Sequence, residues 1–343
     1  MSTLIKCSGW MMSKLTAIID LDYVKYSAAS VGEKRSIIVV HKSSGREKEF
    51  NTRTEFYGRD KAKSGGWLGE LNAKRESPFS VDEFEIIDVQ TPEPVDHVLQ
   101  IAKTQVENDL KKLGTNKYKA FLGKGESFRV ELSTLLKYKD NRKDMLRPLH
   151  MDAVTEYLAK KFNAEFVEFY ENDDVCVQEC YKQPNNVILG LDKDYYSSPN
   201  KFFNVNRPDE GVIDCDQFGK LWLNEKGDVR GIGRIHLAWQ IASNDTSDNY
   251  AANCFSDIKW AGKSAYKALV NCTTDTEAWN KLKEVFQHLY PEEKTVLGWR
   301  NEPINITWDY VLNECFMMAR MVKVKGEQIN AYDLMDEFGV TYK

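Results

Sequence analysis

The chain lacks any apolar run near the ~18 residues that a membrane span requires, and its seven cysteines include no paired C-x-x-C spacing. The first absence excludes a membrane-spanning helix; the second excludes a zinc site or a disulfide framework read from spacing. Cys176 and Cys180, one helical turn apart, read as buried neutral thiols. Histidine is scarce: five residues, at 41, 97, 150, 236 and 288, are scattered along the sequence, so a His-centred mechanism has no support. Internal repeats and low-complexity tracts are missing. The segment Cys7 to Met12 is weakly apolar without the basic-apolar-small order of a secretory leader, which predicts a cytosolic protein. Net charge is only −5, which argues against a generic DNA-coating protein. Gly262-Lys263-Ser264 evokes a phosphate loop, but Asp257 stands where a glycine is required and no strand precedes it; Gly231-Ile232-Gly233 likewise lacks the dinucleotide-fingerprint spacing.

What is present is the composition of a globular protein, with 42% hydrophobic residues and a mean hydropathy of −0.52. A length of 343 residues suits one large or two moderate domains. Four carboxylate-bearing segments stand out. Leu15-Thr16-Ala17-Ile18-Ile19 leads to Asp20 and Asp22; Phe166-Val167-Glu168-Phe169-Tyr170 leads to Glu171, Asp173 and Asp174; Val187-Ile188-Leu189-Gly190-Leu191 leads to Asp192 and Asp194. The fourth, residues 244–249, contributes Asp245 and Asp248. Short runs rich in Ile, Val and Leu read as central strands of a parallel sheet, and ligands bind in the crevice beyond the carboxyl ends of such strands. Crowding carboxylates there raises their pKa values unless cations neutralise them. Hard divalent ions do so, which predicts a metal-assisted hydrolase or transferase acting on phosphate esters.

Charge is unevenly distributed. Residues 115–150 hold nine Lys/Arg against four acids, and residues 165–216 hold twelve acids against four Lys/Arg. A polyanion gripped on one side and cut on the other fits this pattern, although on charge counts alone solvated helix and loop faces describe it slightly better.

The patterning predicts a hairpin around Ser43-Ser44-Gly45 and a polar, glycine-bearing mobile insertion over 55–80. Pro92-Glu93-Pro94 opens an amphipathic helix, Tyr118 to Gly123 forms a second central strand, and residues 129–161 read as helical and basic, interrupted near Pro148. Another strand is expected near Phe202 to Val205 and a hairpin near Gly211 to Leu223. Helices follow at Ile235 to Ala242, Ala261 to Val270 and Trp308 to Val322. The change from alternating strands and helices to helices alone places a domain boundary near residue 230. Trp222, Trp239, Trp260 and Tyr266 read as core aromatics rather than base-stacking platforms.

The ordered set Arg129-Val130-Glu131-Leu132, Tyr138-Lys139-Asp140-Asn141-Arg142-Lys143, Glu171-Asn172-Asp173-Asp174, Leu191-Asp192-Lys193-Asp194 and Asn244-Asp245-Thr246-Ser247-Asp248-Asn249 resembles the motif series of the 5′ nucleases, the flap endonucleases and bacteriophage 5′-to-3′ exonucleases. It spans roughly residues 15 to 270, with gaps over the 31–90 insertion. The helix around Met317-Met318-Ala319-Arg320 is similar to the C-terminal helix of the phage enzymes.

The resemblance implies an α/β, PIN-like (Rossmann-like) mostly parallel sheet with flanking helices and a helical arch in residues 1–230, and an all-helical, helix-turn-helix-type DNA-binding region in residues 231–343. It implies that Asp20, Glu171, Asp173, Asp174, Asp192, Asp194, Asp245 and Asp248 hold two or more Mg²⁺ or Mn²⁺ ions, and that Lys139 and Arg142 steer the scissile phosphate. Arg129, Lys143, Gly262, Lys263 and Ser264 are implied as nucleic-acid contacts, with K⁺ in the C-terminal turn. The implied substrate is DNA with a 5′ end, flap or single-strand/duplex junction, or an RNA–DNA hybrid. The implied setting is a monomer in the host-cell cytoplasm, alongside replication proteins. Two departures stand out: Gly123-Lys124-Gly125-Glu126-Ser127 carries Lys124 where relatives have an acid, and the turn's Gly-x-Gly is only Trp260-Ala261-Gly262. They keep open a catalytically silent nucleic-acid-binding module; a toxin-type ribonuclease of the PIN group is disfavoured by the chain's length.

Overall fold

The computed structural model describes residues 14–59, 65–143 and 145–342; the weakly apolar segment Cys7 to Met12 lies outside them. The chain divides into two compact units. One comprises the described residues within Met1–Val24, Thr104–Leu146 and Leu158–Lys343; the other is Lys25–Lys103 with Arg147–Tyr157.

The larger unit is built on a mixed sheet whose strands, numbered within it, are β1 (Thr16–Asp20), β2 (Tyr118–Ser127), β3 (Glu165–Phe169), β4 (Asn186–Gly190), β5 (Lys201–Asn204) and β6 (Ile213–Asp214). Their order is β3-β2-β1-β4-β5-β6, every neighbouring pair being parallel except the antiparallel β5 and β6. The unit is therefore α/β with a mostly parallel sheet, compatible with a Rossmann-like fold. The runs Ala17-Ile18-Ile19 and Val187-Ile188-Leu189 are fully buried, as expected of strands covered on both faces. Between β1 and β4 the strand order reverses, which opens a crevice at their carboxyl ends.

The C-terminal helices α2 (Arg234–Ile241), α3 (Gly262–Leu269), α4 (Asp275–Leu289), α5 (Trp308–Ala319) and α6 (Ala331–Glu337) follow α1 (Asn172–Lys182). They share one apolar core, including Leu282, Phe286, Leu312 and Phe316, with Leu135, Tyr138 and Leu221. Residue 230 thus marks no break: it sits inside this unit, in the antiparallel pair Lys220–Leu223 and Val229–Ile232. Nor is the C-terminal third all helical. Lys294–Leu297 pairs antiparallel with Pro303–Ile306, because Thr295-Val296 and Ile304-Asn305-Ile306 favour strand and Asn301 adopts the left-handed turn conformation at φ 60°.

The expected basic helix over 129–161, and with it a helical arch, is also corrected. Helix forms only at Arg129–Leu132 and Met151–Phe162, with a 3₁₀ turn at Asp140–Arg142. The intervening backbone finds other partners: Thr134 and Leu135 N–H donate to Glu314 at 3.0 and 2.7 Å, and Lys139 takes φ 57°. These commitments remove the i→i−4 ladder before Pro148 is reached.

The smaller unit is a three-stranded antiparallel sheet, with Glu33–His41 between Glu47–Phe50 and Phe84–Pro92. Of the insertion expected over 55–80, residues 60–64 lie outside the described residues; on either side of them the chain forms helices Arg53–Tyr57 and Gly66–Asn72, whose Phe56 and Leu68 are buried with Ile37, Val39, Phe50 and Phe84. Among the described residues, no helix is long and apolar enough to cross a membrane.

Candidate functional site

Each of β1, β3 and β4 releases a carboxylate at or just past its last residue. Asp20 ends β1, Glu171 and Asp173 follow β3, and Asp192 follows β4. Asp20 is buried, 6% exposed. Its Oδ1 accepts from the Asp22 N–H at 2.9 Å and from Asn172 Nδ2 at 2.5 Å. Asn172 also donates to the Phe121 carbonyl, tying the end of β1 to β2. Gly123 on β2 donates its N–H to Asp22 at 3.2 Å, and a Cβ there would lie 2.6 Å from Asp22 Oδ2. Glycine there leaves room for the Asp22 carboxylate to lie against the β2 backbone.

β3 ends in strained backbone. Phe169 has φ 74° and is spanned by a hydrogen bond from Tyr170 N–H to the Glu168 carbonyl at 2.9 Å, a γ-turn of the rare strained sense. Glu171 then caps α1 reciprocally with Asp174, placing Asp173 in the first turn. The Tyr195 hydroxyl stands 3.2 Å from both Asp20 Oδ2 and Asp173 Oδ1. Its single proton serves one of them at a time. Burial, then Asp22, pushes Asp20 up to about 6; burial, then Asp20, Asp192 and Glu171, pushes Asp173 well above the usual carboxylate range. Asp192 is pushed up to about 7 by loss of water around its carboxyl, then by Asp194. As a residue it remains exposed, so water blunts that rise more than it does at Asp20. Lys139 draws Asp173 down and Lys193 draws Asp192 down, but not enough to offset burial and like charge, so Asp20, Asp173 and Asp192 form the under-compensated centre of the site.

A second group is charge-balanced. Lys139 pairs with Glu171 and lies 3.6 Å from Asp248; Arg142 reaches Asp248 at 2.9 Å. The Tyr138 hydroxyl donates between Glu171 and Asp248, at 2.8 and 3.1 Å. Burial works against charge on both Glu171 and Lys139, and their attraction wins: Glu171 is lowered and Lys139 raised. Lys193, an exposed residue, bridges Asp194 at 2.9 Å and Asp245 at 3.1 Å. Gln240 donates to Asp194 at 2.5 Å, and backbone N–H groups of Ser247 and Asp248 cap Asp245.

Two expected roles fail on burial. Arg129, implied as a nucleic-acid contact, is 2% exposed and spends all five donors internally: on Asp174 at 2.7 and 2.9 Å, on Glu171 at 3.1 Å, and on the Met317 and Arg320 carbonyls. Asp174, implied as a metal ligand, is fully buried and accepts from Arg129, Glu171 N–H and Val322 N–H. Lys143 is exposed and pairs with Asp140. Lys124 pairs with Glu168 at 2.7 Å on the surface. Gly262, Lys263 and Ser264 open α3, and the first two line a cavity considered below, together with Leu191 and Lys193. Cys176 and Cys180 are buried free thiols, as expected.

Sequence reading passed over Asn172, Tyr195 and Gln240; the signal for the first two was adjacency, since each lies beside a carboxylate already singled out. The donor set is all oxygen and suits hard divalent ions. The grouping is not closed: among the described residues, no three His, Cys, Asp or Glu side chains stand together so as to hold a metal ion, because Glu171, Asp174, Asp194, Asp245 and Asp248 are engaged by cations or donors. No protein-family model matches the chain, and no curated protein matches it.

Proposed function

We propose that this chain is a 5′ nuclease with a PIN-like catalytic unit, hydrolysing phosphodiester bonds at 5′ ends, flaps or single-strand/duplex junctions of DNA, including RNA primers on DNA, in phage replication or DNA degradation. The observation that carries the reading is the crowding of Asp20, Asp173 and Asp192 at the strand-order reversal, where their pKa values stay raised despite Lys139 and Lys193 nearby. Folding such repulsion into one crevice is costly unless cations are recruited during function. The all-oxygen donor set is of the kind that Mg²⁺ or Mn²⁺ takes; Asp20, Asp173 and Asp192 would hold such ions once drawn together, with Glu171, Asp194, Asp245 and Asp248 around them. Bound there, such ions supply water activation and stabilisation of the leaving oxygen. The chain's own residues do the rest. Tyr195 and Asn172 fix the spacing of the carboxylates, and Lys139 and Arg142, already beside Glu171 and Asp248, present cations to an entering phosphate. The opening of α3, with Lys263 exposed, supports phosphate contact by a helix-turn-helix-type element and is where K⁺ would sit. Such contacts read shape rather than sequence.

A second reading is favoured by Lys124 standing where an acid is expected and by the open grouping of the carboxylates: a binding module that keeps the fold without the chemistry. A labelled 5′-flap duplex incubated with Mg²⁺, with and without chelator, separates the two. Chelator-sensitive cleavage that disappears in Asp173→Ala, with binding retained, is expected. Cleavage surviving that substitution at a tenth or more of the wild-type rate refutes the assignment; no cleavage at all, with tight binding, favours the module.

A further inference from the structure

A cavity of about 830 Å³ lies between the hairpin Lys220–Leu223/Val229–Ile232 and the start of α3. Its lining combines three features. Cations come first: Lys220, Arg230 and Lys263. Among the described residues Lys220 and Lys263 make no ion pair, while Arg230 reaches Asp228 only at 3.8 Å. The other acid on the lining, Glu210, is taken by Arg207 at 3.2 Å. Lys263 Nζ reaches across to the hairpin tip, where a Cβ on Gly227 would lie 3.7 Å from it. Aromatic faces come second: Trp222, with Lys220 Nζ 5.6 Å from its ring, and Trp239, stacked on His236 at 5.5 Å and 6°.

Third, buried polar atoms go unpartnered here. His236 is 3% exposed and its Nδ1 has no hydrogen bond; neither does the buried Nε of Arg230. Burial, then Lys193 and Arg230, pushes the imidazole down to about 3, so it is neutral and offers one donor and one acceptor. Orphaned buried groups of this kind are uncommon unless something else completes them.

We propose that this cavity binds a nucleoside phosphate, with the phosphate among Lys220, Arg230 and Lys263 and the base against Trp222, its polar edge toward His236. Inorganic phosphate alone leaves the aromatic part of the cavity unfilled, and an apolar ligand leaves three cations facing it. The choice of a nucleoside among aromatic anions rests on the nuclease reading, because Leu191 and Lys193, which flank Asp192, also line the cavity. The same chemistry is presented by a free mononucleotide or by one unpaired unit of a strand.

The test is isothermal titration of the full chain, in chelator so that no hydrolysis intervenes, with deoxyadenosine 5′-monophosphate, deoxyadenosine, inorganic phosphate and a 5′-phosphorylated deoxyadenosine trinucleotide. The monophosphate should bind at least tenfold tighter than deoxyadenosine or phosphate. Lys263→Ala and Trp222→Leu should each weaken it at least fivefold, and Lys281→Ala, at a residue that does not line the cavity, should not. Should Trp222→Leu fail to fold, Lys220→Ala/Lys263→Ala replaces it, both side chains being exposed. A trinucleotide more than tenfold tighter than the monophosphate assigns the cavity to the strand; equal affinity assigns it to the free nucleotide. No saturable binding of either ligand, or binding unmoved by these variants, overturns the proposal. Nucleotide binding without Mg²⁺-dependent cleavage refutes the nuclease alone, and cleavage without nucleotide binding refutes the cavity alone.

Discussion

Arg129→Met should destabilise the larger unit by about 3–5 kcal/mol, the usual cost of removing one partner from a buried ion pair. The figure follows from what the substitution leaves behind. Asp174 is fully buried, and without the guanidinium it keeps only the Val322 N–H at 2.8 Å and the Glu171 N–H at 3.1 Å as donors. The Met317 and Arg320 carbonyls lose their partner as well. Burial works against the charge on Arg129, but Asp174 and Glu171 more than offset it and raise its pKa well above the ordinary value. Arg129→Lys should recover little, since an ammonium cannot serve Asp174 bidentately while reaching two carbonyls. Urea unfolding followed by circular dichroism measures the loss. Asp174→Asn and the double variant complete a cycle whose coupling should exceed about 1.5 kcal/mol. A loss below about 1 kcal/mol, or additive single effects, refutes the structural role. If Arg129 were instead a nucleic-acid contact, the variant would keep its stability and flatten the salt dependence of binding by about one unit per phosphate lost.

Three further outcomes are expected. The folded pKa of Asp20 is about 6 against an ordinary 3.8, so in chelator the folded state holds a proton that the unfolded state releases. Stability falls as pH rises from about 4 to about 6, and Asp20→Asn should be about 1–3 kcal/mol more stable than wild type at pH 8; unfolding curves at pH 4 and pH 8 that show no such crossover refute the raised pKa. Lys139→Ala should lower the single-turnover cleavage rate by roughly two orders of magnitude, with a much smaller loss of affinity; a collapse of affinity at unchanged rate would make it a docking contact. Gly123→Ala should displace the Asp22 carboxylate, whose Oδ2 its Cβ meets, at a cost of about 1 kcal/mol and with reduced cleavage; a variant as stable and active as wild type would show that the Asp22 carboxylate has no role in its present position.

Part of the larger unit was legible because its central strands β1 and β4 are buried on both faces and so read as continuous apolar runs, whereas β3, read in the same way, is a largely exposed edge strand. β1 and β4 needed nothing beyond Ala17-Ile18-Ile19 and Val187-Ile188-Leu189. The placement of carboxylates past their ends followed from the same runs. The segment from Arg129 to Lys161 misled because its composition favours helix while its fold is decided by a distant residue. Glu314, nearly two hundred positions away, takes the Thr134 and Leu135 N–H groups, and no local pattern encodes that. The insertion misled for the opposite reason: Phe56 and Leu68 are isolated apolar residues in a polar stretch, and only the three-stranded sheet gives them something to bury against.

Counting carboxylates also could not separate two kinds. Asp174 and Asp20 look alike in sequence, each at the edge of an apolar run, yet Asp174 meets a guanidinium and Asp20 meets Asp22, Asp173 and a phenol. What distinguishes a structural carboxylate from one held for chemistry is whether the fold neutralises it, and that depends on which cation the topology delivers. Arg129 is placed by the end of β2 beside α1 and meets Asp174 in full; Lys139 and Lys193 are placed to neutralise Glu171, Asp194 and Asp245 at the rim. At the centre, burial and like charge outweigh the nearby cations: Lys139 draws Asp173 down and Lys193 draws Asp192 down, yet both carboxyls stay raised. Among the described residues Asp20, Asp173 and Asp192 make no ion pair of their own, and a fold that leaves them so leaves that position to a cation from solution.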